Sequence, residues 1–105
     1  MGDYYDRRGN RLTLTQWCGR MKDDAYRRVA FDRVGGAEVS TVWLGLDHGW
    51  GGGPPLIFET MVFGGDENEW QARYATEADA MAGHAEVVRK LKLGLPLSDV
   101  VAERA

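Results

Sequence analysis

Apolar and polar residues alternate along this chain with two different periods, and the switch between them outlines the fold. Leu14, Trp17, Cys18 and Met21 fall at i, i+3, i+4 and i+7, the spacing of one helical stripe. Thr13 followed by Gln16 matches a capping box, in which each side chain satisfies a loose backbone N–H. A helix is therefore expected near 14–23, with Cys18 as a small core residue inside its stripe. Ahead of it, "DYYDRRGNRLTL" reads as a short strand, a turn at Arg8-Gly9-Asn10 and a return into that helix.

From Tyr26 the period becomes two. Val29 and Phe31 share one face while Arg28 and Asp32 take the other, as in a half-buried strand. Gly35-Gly36 supplies a hairpin turn. The run 39–46 is apolar on both faces, with Val39 and Trp43 on one and Val42, Leu44 and Leu46 on the other. That pattern predicts a central strand covered on at least part of both sides. "LIFETMVF" (56–63) is a second such strand, entered through Pro54-Pro55, and "WQARYA" is a fourth after the acidic turn "DENE". Thr76 caps the last helix, whose stripe is Met81, His84, Ala85, Val88 and Leu91, extended by Ala80 and Val87. Gly94 ends it and Pro96 prevents its continuation. The order β-α-β-β-β-β-α with hairpin-length connections predicts an α+β fold. It is a single small domain over 1–105, an antiparallel sheet of about four to five strands with two helices packed on one face. Residues 94–105 read as a loosely ordered tail.

Composition narrows the classes. A chain of 105 residues supports one hydrophobic core without staples. Net charge is −3 and the pI about 5.3, so bulk electrostatics do not recruit nucleic acid. One cysteine cannot form an internal disulfide. The opening "MGDYYDRRGN" has no apolar signal region, and no long apolar run suggests a membrane span; the expected location is cytoplasmic. Charge is uneven: residues 47–86 carry eight acids against Arg73 alone, either a solvated surface or an acidic face for a basic partner.

Candidate chemistry sits at a few positions. The loop Asp47-His48-Gly49-Trp50-Gly51-Gly52-Gly53 lacks the Gly-Lys-Ser/Thr step of a phosphate loop and leads into prolines and a strand, which rules out a nucleotide cradle. It reads as a hairpin tip carrying an aromatic, with Trp50 either folded back on the sheet or exposed as an interface anchor. Glu59 lies mid-strand on the face of Ile57, Met61 and Phe63, so it is either paired across strands with a basic residue or buried and shifted in pKa. His84, in the apolar stripe of the last helix, is either a satisfied core residue or part of an acid/base or ligand cluster with Glu59 or Asp47. Together Asp47, His48, Glu59 and His84 could hold a metal for a small hydrolase or nuclease, but they show no diagnostic ligand spacing.

The stretches "YDRRGN", "LTQW", "VSTVWLGLDH", "PPLIFETMVFGG" and "YATEADAMAGH" resemble a widespread family of small bacteriophage proteins, notably of actinobacteriophages and prophages. The resemblance runs to about residue 90 and takes in residues 47–55 and His84. It implies a viral origin and action in the host cytoplasm, and supplies no reaction. The reading is a binding protein without cofactor or metal. It would hold a host or phage protein through Asp47, His48, Trp50, Glu59 and His84, with no nucleic acid and no membrane. The alternatives are the metal-dependent hydrolase and an oligomeric structural part built through sheet edges.

Overall fold

In the computed structural model, which describes residues 3–47 and 53–99, the first element is a small hairpin rather than a single strand. It comprises β1 (Tyr4–Tyr5) and β2 (Arg11–Leu12), joined across the turn at Arg8-Gly9-Asn10, where Asp6 accepts hydrogen bonds from the Arg8 and Asn10 backbone N–H groups. Helix α1 (Leu14–Met21) follows with both halves of the expected capping box in place: Gln16 N–H donates to Thr13 Oγ1, and Thr13 N–H to Gln16 Oε1. A one-turn helix α2 (Asp24–Arg27), capped by Asp23, was not visible in the periodicity. Its four residues are too few to repeat a stripe.

The main sheet is an antiparallel meander in the order β3 (Arg28–Val34), β4 (Ala37–Trp43), β5 (Phe58–Phe63), β6 (Gln71–Tyr74). Helix α3 (Glu77–Leu93) lies across one face of it, with Thr76 accepting from Asp79 N–H at the start and left-handed Gly94 (φ 69°) at the end. This is the expected α+β architecture. Strict alternation of buried and half-buried residues along β4 puts Ala37, Val39, Thr41 and Trp43 under α3 and Glu38, Ser40 and Val42 on the opposite side. The core-facing residues of β5 and β6 are Phe58, Thr60, Val62, Ala72 and Tyr74.

The structure corrects several expectations. Cys18 is exposed, not buried. Helix α1 has only 8 residues and rests beside the first hairpin, so Trp17 and Met21 pack inward while Leu14 and Cys18 face out. Among the described residues no element covers the second face of the main sheet, so β4 is covered on one side only and Val42 is half-buried. In β3 the two faces are exchanged relative to the simple alternation. A bulge between Arg28 and Ala30 absorbs Val29 as an extra residue. Beyond it every side chain points to the opposite side from that expected, because strand parity is reset by one residue. Asp32, opposite Val39, thus turns toward α3, and Phe31, opposite Ser40, turns to the uncovered face.

The stripe of α3 also differs: Ala80, His84 and Val87 are buried, whereas Met81 is 48% exposed and Ala85 is open. The tail begins with an anchor. A 3-10 turn at Leu97–Asp99 buries Leu97 completely against Val39, Val62 and Val87, and Leu97 N–H donates to Glu67 Oε2. Arg7 of the first hairpin joins the first turn of α3, its Nε and Nη2 each 2.7 Å from the two oxygens of Glu77.

Candidate functional site

His84 enters the core from α3 at the level of β4. Its Nδ1 lies 2.7 Å from Thr41 Oγ1, and Thr41 Oγ1 is 2.5 Å from Thr60 Oγ1 on β5. On the other side, His84 Nε2 is 2.7 Å from Asp32 Oδ2 at the sheet edge. A carboxylate only accepts, so Nε2 carries a proton and donates. In the neutral ring Nδ1 then accepts from the Thr41 hydroxyl, which accepts from that of Thr60. Every member is satisfied in a single direction. Next to Thr60 lies Tyr74 Oη, buried and outside hydrogen-bond geometry; burial pushes this phenol up from its ordinary value, with Thr60 opposing.

Hydroxyl, imidazole and carboxylate in series invite comparison with a nucleophilic triad. The decisive difference is access. Thr41 and Thr60 have no exposed surface and His84 only 5%, so no substrate carbon can reach the hydroxyl. Thr60, Thr41 and His84 form a buried polar strut between helix and sheet, ending on the exposed Asp32 carboxylate, of the kind that specifies a unique packing when fully satisfied. His84 is therefore a satisfied core residue, and its partners are Thr41 and Asp32 rather than Glu59 or Asp47.

Glu59 projects from the opposite side of the sheet. Its neighbour across β5 and β6 is Arg73, whose Nε donates to Glu59 Oε2 at 3.2 Å. The sheet itself stands between Glu59 and His84, so these two cannot share one metal or one substrate. Asp47 works at the base of the following loop, where its Oδ1 accepts from Leu56 N–H at 3.3 Å. His48 and Trp50 lie outside the described residues. Among the described residues no three His, Cys, Asp or Glu side chains converge as a metal site requires.

The base of that loop is firmly built. Trp17 Nε1 donates to Leu44 O and Trp43 Nε1 to Tyr5 O, both at 3.0 Å, and Tyr5 N–H reaches Gly45 O at 2.8 Å. Gly45 (φ 68°) fills the gap between the Trp43 and Trp17 rings, where a Cβ would collide with both.

The uncovered sheet face carries most of the accessible apolar surface of the strands. Phe31, Ser40 and Met61 form one row across β3, β4 and β5; Phe63 and Val42 flank it. Phe31 is 39% and Phe63 45% exposed. The charges of this face are engaged within the chain: Arg33 with Glu38 at 3.2 Å, Arg73 with Glu59, and Arg28 stacked over Phe31 with its guanidinium carbon 5.4 Å from the ring centre. Sequence alternation located Glu59, Met61 and Phe63 here, but the bulge concealed that Phe31 joins them. Thr41 was legible as the one polar residue in the buried file Val39, Thr41, Trp43.

Compared with known proteins, the chain matches no family model, and no curated protein or solved structure is significantly similar to it. Among the described residues no helix is long and apolar enough to cross a membrane.

Proposed function

We propose that this chain is a binding protein of bacteriophage origin that holds a host or phage protein in the host cytoplasm, without catalysis. The observation that carries the reading is the uncovered sheet face with Phe31, Val42, Met61 and Phe63 on it. Aromatic and methionine side chains set in a rim of polar groups are the composition of protein-binding surfaces. The arginines there are already matched by Glu38, Glu59 and the Phe31 ring, which leaves little to neutralise phosphates and favours protein over nucleic acid. The enclosure of the Thr41 and Thr60 hydroxyls and the His84 ring supports a non-enzymatic role. The phage origin rests on the resemblance of the five sequence stretches. Trp50 belongs to the proposal as a second anchor, from sequence alone.

The test is affinity capture from infected host lysate with the parent chain, Phe63→Glu and Trp50→Ala. Phe63 is exposed, so its replacement is expected to leave the melting temperature within a few degrees, roughly the span of a surface substitution. A partner retained by the parent and lost with Phe63→Glu supports the sheet face; one lost only with Trp50→Ala moves the site to the loop. Identical capture by all three removes the reading.

A further inference from the structure

The first hairpin, helices α1 and α2 and the opening turn of α3 surround a pocket of about 510 Å³. Arg7, Arg8 and Arg20 line it with Asp6 and Glu77, three cations against two acids. Both acids are consumed inside the chain. The Glu77 oxygens accept from Arg7, whose Nη1 also donates to Tyr26 O at 3.0 Å. Asp6 Oδ1 accepts from the Arg8 and Asn10 backbone N–H groups, and its Oδ2 from Asn10 Nδ2 at 3.3 Å. Arg8 and Arg20 are left over: among the described residues neither guanidinium lies within ion-pair distance of a carboxylate. Arg20 is nevertheless held in place, its guanidinium carbon 5.0 Å from the centre of the Tyr26 ring. That ring stands edge-on against buried Trp43. Tyr26 Oη accepts Arg7 N–H at 2.9 Å and keeps its own proton to donate.

We propose that this pocket binds the phosphoryl group of a phosphomonoester between the Arg8 and Arg20 guanidiniums, with the Tyr26 hydroxyl as a further donor. The site goes beyond the partner-binding reading and does not depend on it.

The class of ligand follows from the donors that remain. A carboxylate has two oxygens, and one guanidinium fork fills both. Two forks and a phenolic O–H call for an anion with three acceptor oxygens, which a phosphomonoester presents with a charge of about −1.5 to −2 at neutral pH. A phosphodiester carries a single charge on two such oxygens, so a nucleic-acid backbone leaves the second fork unfilled. The walls are set before any ligand arrives. Arg7 ties the hairpin to Tyr26 and to α3, and Tyr26 in turn carries Arg20, so little ordering remains to be done on binding. The volume lies within the range of small-molecule sites and exceeds what a phosphoryl group fills, so the first atoms of the ester enter as well. A free phosphate ester and a phosphorylated serine share this chemistry.

Chemical-shift titration of the isotope-labelled full chain with inorganic phosphate at low salt reads the binding, with changes expected at Arg8, Arg20 and Tyr26. Arg8→Gln and Arg20→Gln are each expected to raise Kd at least tenfold. Arg11→Gln, whose guanidinium is held by Asp3 outside the pocket, should leave it unchanged. Arg8 is exposed, so its variant keeps the fold, which circular dichroism checks. Binding should weaken as pH falls through about 6, where the phosphate dianion takes up a proton. The lining carboxyls do not titrate there. Against the effect of burial, hydrogen bonds from Asn10 and Arg8 N–H hold Asp6 below its ordinary value, and those from Arg7 do the same for Glu77. Glycerol phosphate and a phosphoserine peptide then distinguish the sources, the tighter of the two naming the natural ligand. Phosphate that causes no shift at these residues overturns the proposal. So does binding that Arg8→Gln and Arg20→Gln leave intact, acetate binding as tightly as phosphate, or both esters binding more weakly than phosphate itself.

Discussion

Replacing Thr41 by valine tests whether the His84 series is structural. The two side chains have nearly the same shape, so the change exchanges one buried hydroxyl for one methyl. Area alone favours valine, by about 0.8 kcal/mol for the additional buried carbon. Hydrogen bonding predicts the opposite sign. Thr41 Oγ1 bridges His84 Nδ1 at 2.7 Å and Thr60 Oγ1 at 2.5 Å, and Thr41 and Thr60 are wholly shielded from water. Valine leaves a ring nitrogen and a hydroxyl without that partner, each costing about 1–3 kcal/mol when buried. Less the apolar gain, the net loss is about 1–5 kcal/mol, a large fraction of the roughly 5–15 kcal/mol that holds such a domain together. For a chain of this size each kcal/mol moves the melting temperature by about 4–8 °C. Urea unfolding of Thr41→Val, compared with the parent and with Thr41→Ser, measures it. Serine keeps the hydroxyl and loses only a methyl, so it is expected to be the milder change. The coupling is checked in a His84→Leu background, where the valine penalty should shrink by at least about 1 kcal/mol because one of its two orphans is gone. A Thr41→Val chain as stable as the parent, with an unchanged m value, would refute the account.

Other consequences follow from the same packing. Gly83 lies inside α3, where alanine ordinarily gains about 1 kcal/mol. A Cβ there would enter the envelope of the Tyr74 ring and its Oη, so Gly83→Ala is expected to destabilise by about 1–3 kcal/mol, measured by thermal melting. Tyr74→Phe should not rescue it, because the ring carbons collide too, whereas Tyr74→Leu should recover part of the loss. The Arg7–Glu77 pair sets an acid limb. The Arg7 hydrogen bonds hold the Glu77 carboxyl below its ordinary value of 4.5, with burial opposing. The unfolded chain therefore takes up this proton first. The contribution is complete above that value and fades as pH falls through the lower folded value. Melting curves from about pH 6 to about pH 3 should converge for the parent and Glu77→Gln, the parent losing more. Parallel curves would show that the pair contributes nothing.

Local signals in this chain were sufficient for what local physics controls. The capping box at Thr13 and Gln16, the Thr76 cap, the Gly94 stop and the Gly35-Gly36 hairpin all depend on neighbours in sequence, and each is found where its pattern stood. The shared face of Val39 and Trp43 also followed from a period of two, and the pairing of Glu59 across the sheet is one of the two readings that period left open. Sequence could not show the bulge at Val29, because an extra residue leaves the alternation intact on either side and only the partner strand reveals the slip. That slip turned Asp32 toward His84 and Phe31 toward solvent. Nor could a stripe on α3 say which of its flanks the sheet would cover, since the answer depends on where the edge strand ends beneath it. Residue types and their spacing determined the elements; how those elements lie over one another decided which side chains became core, strut and surface.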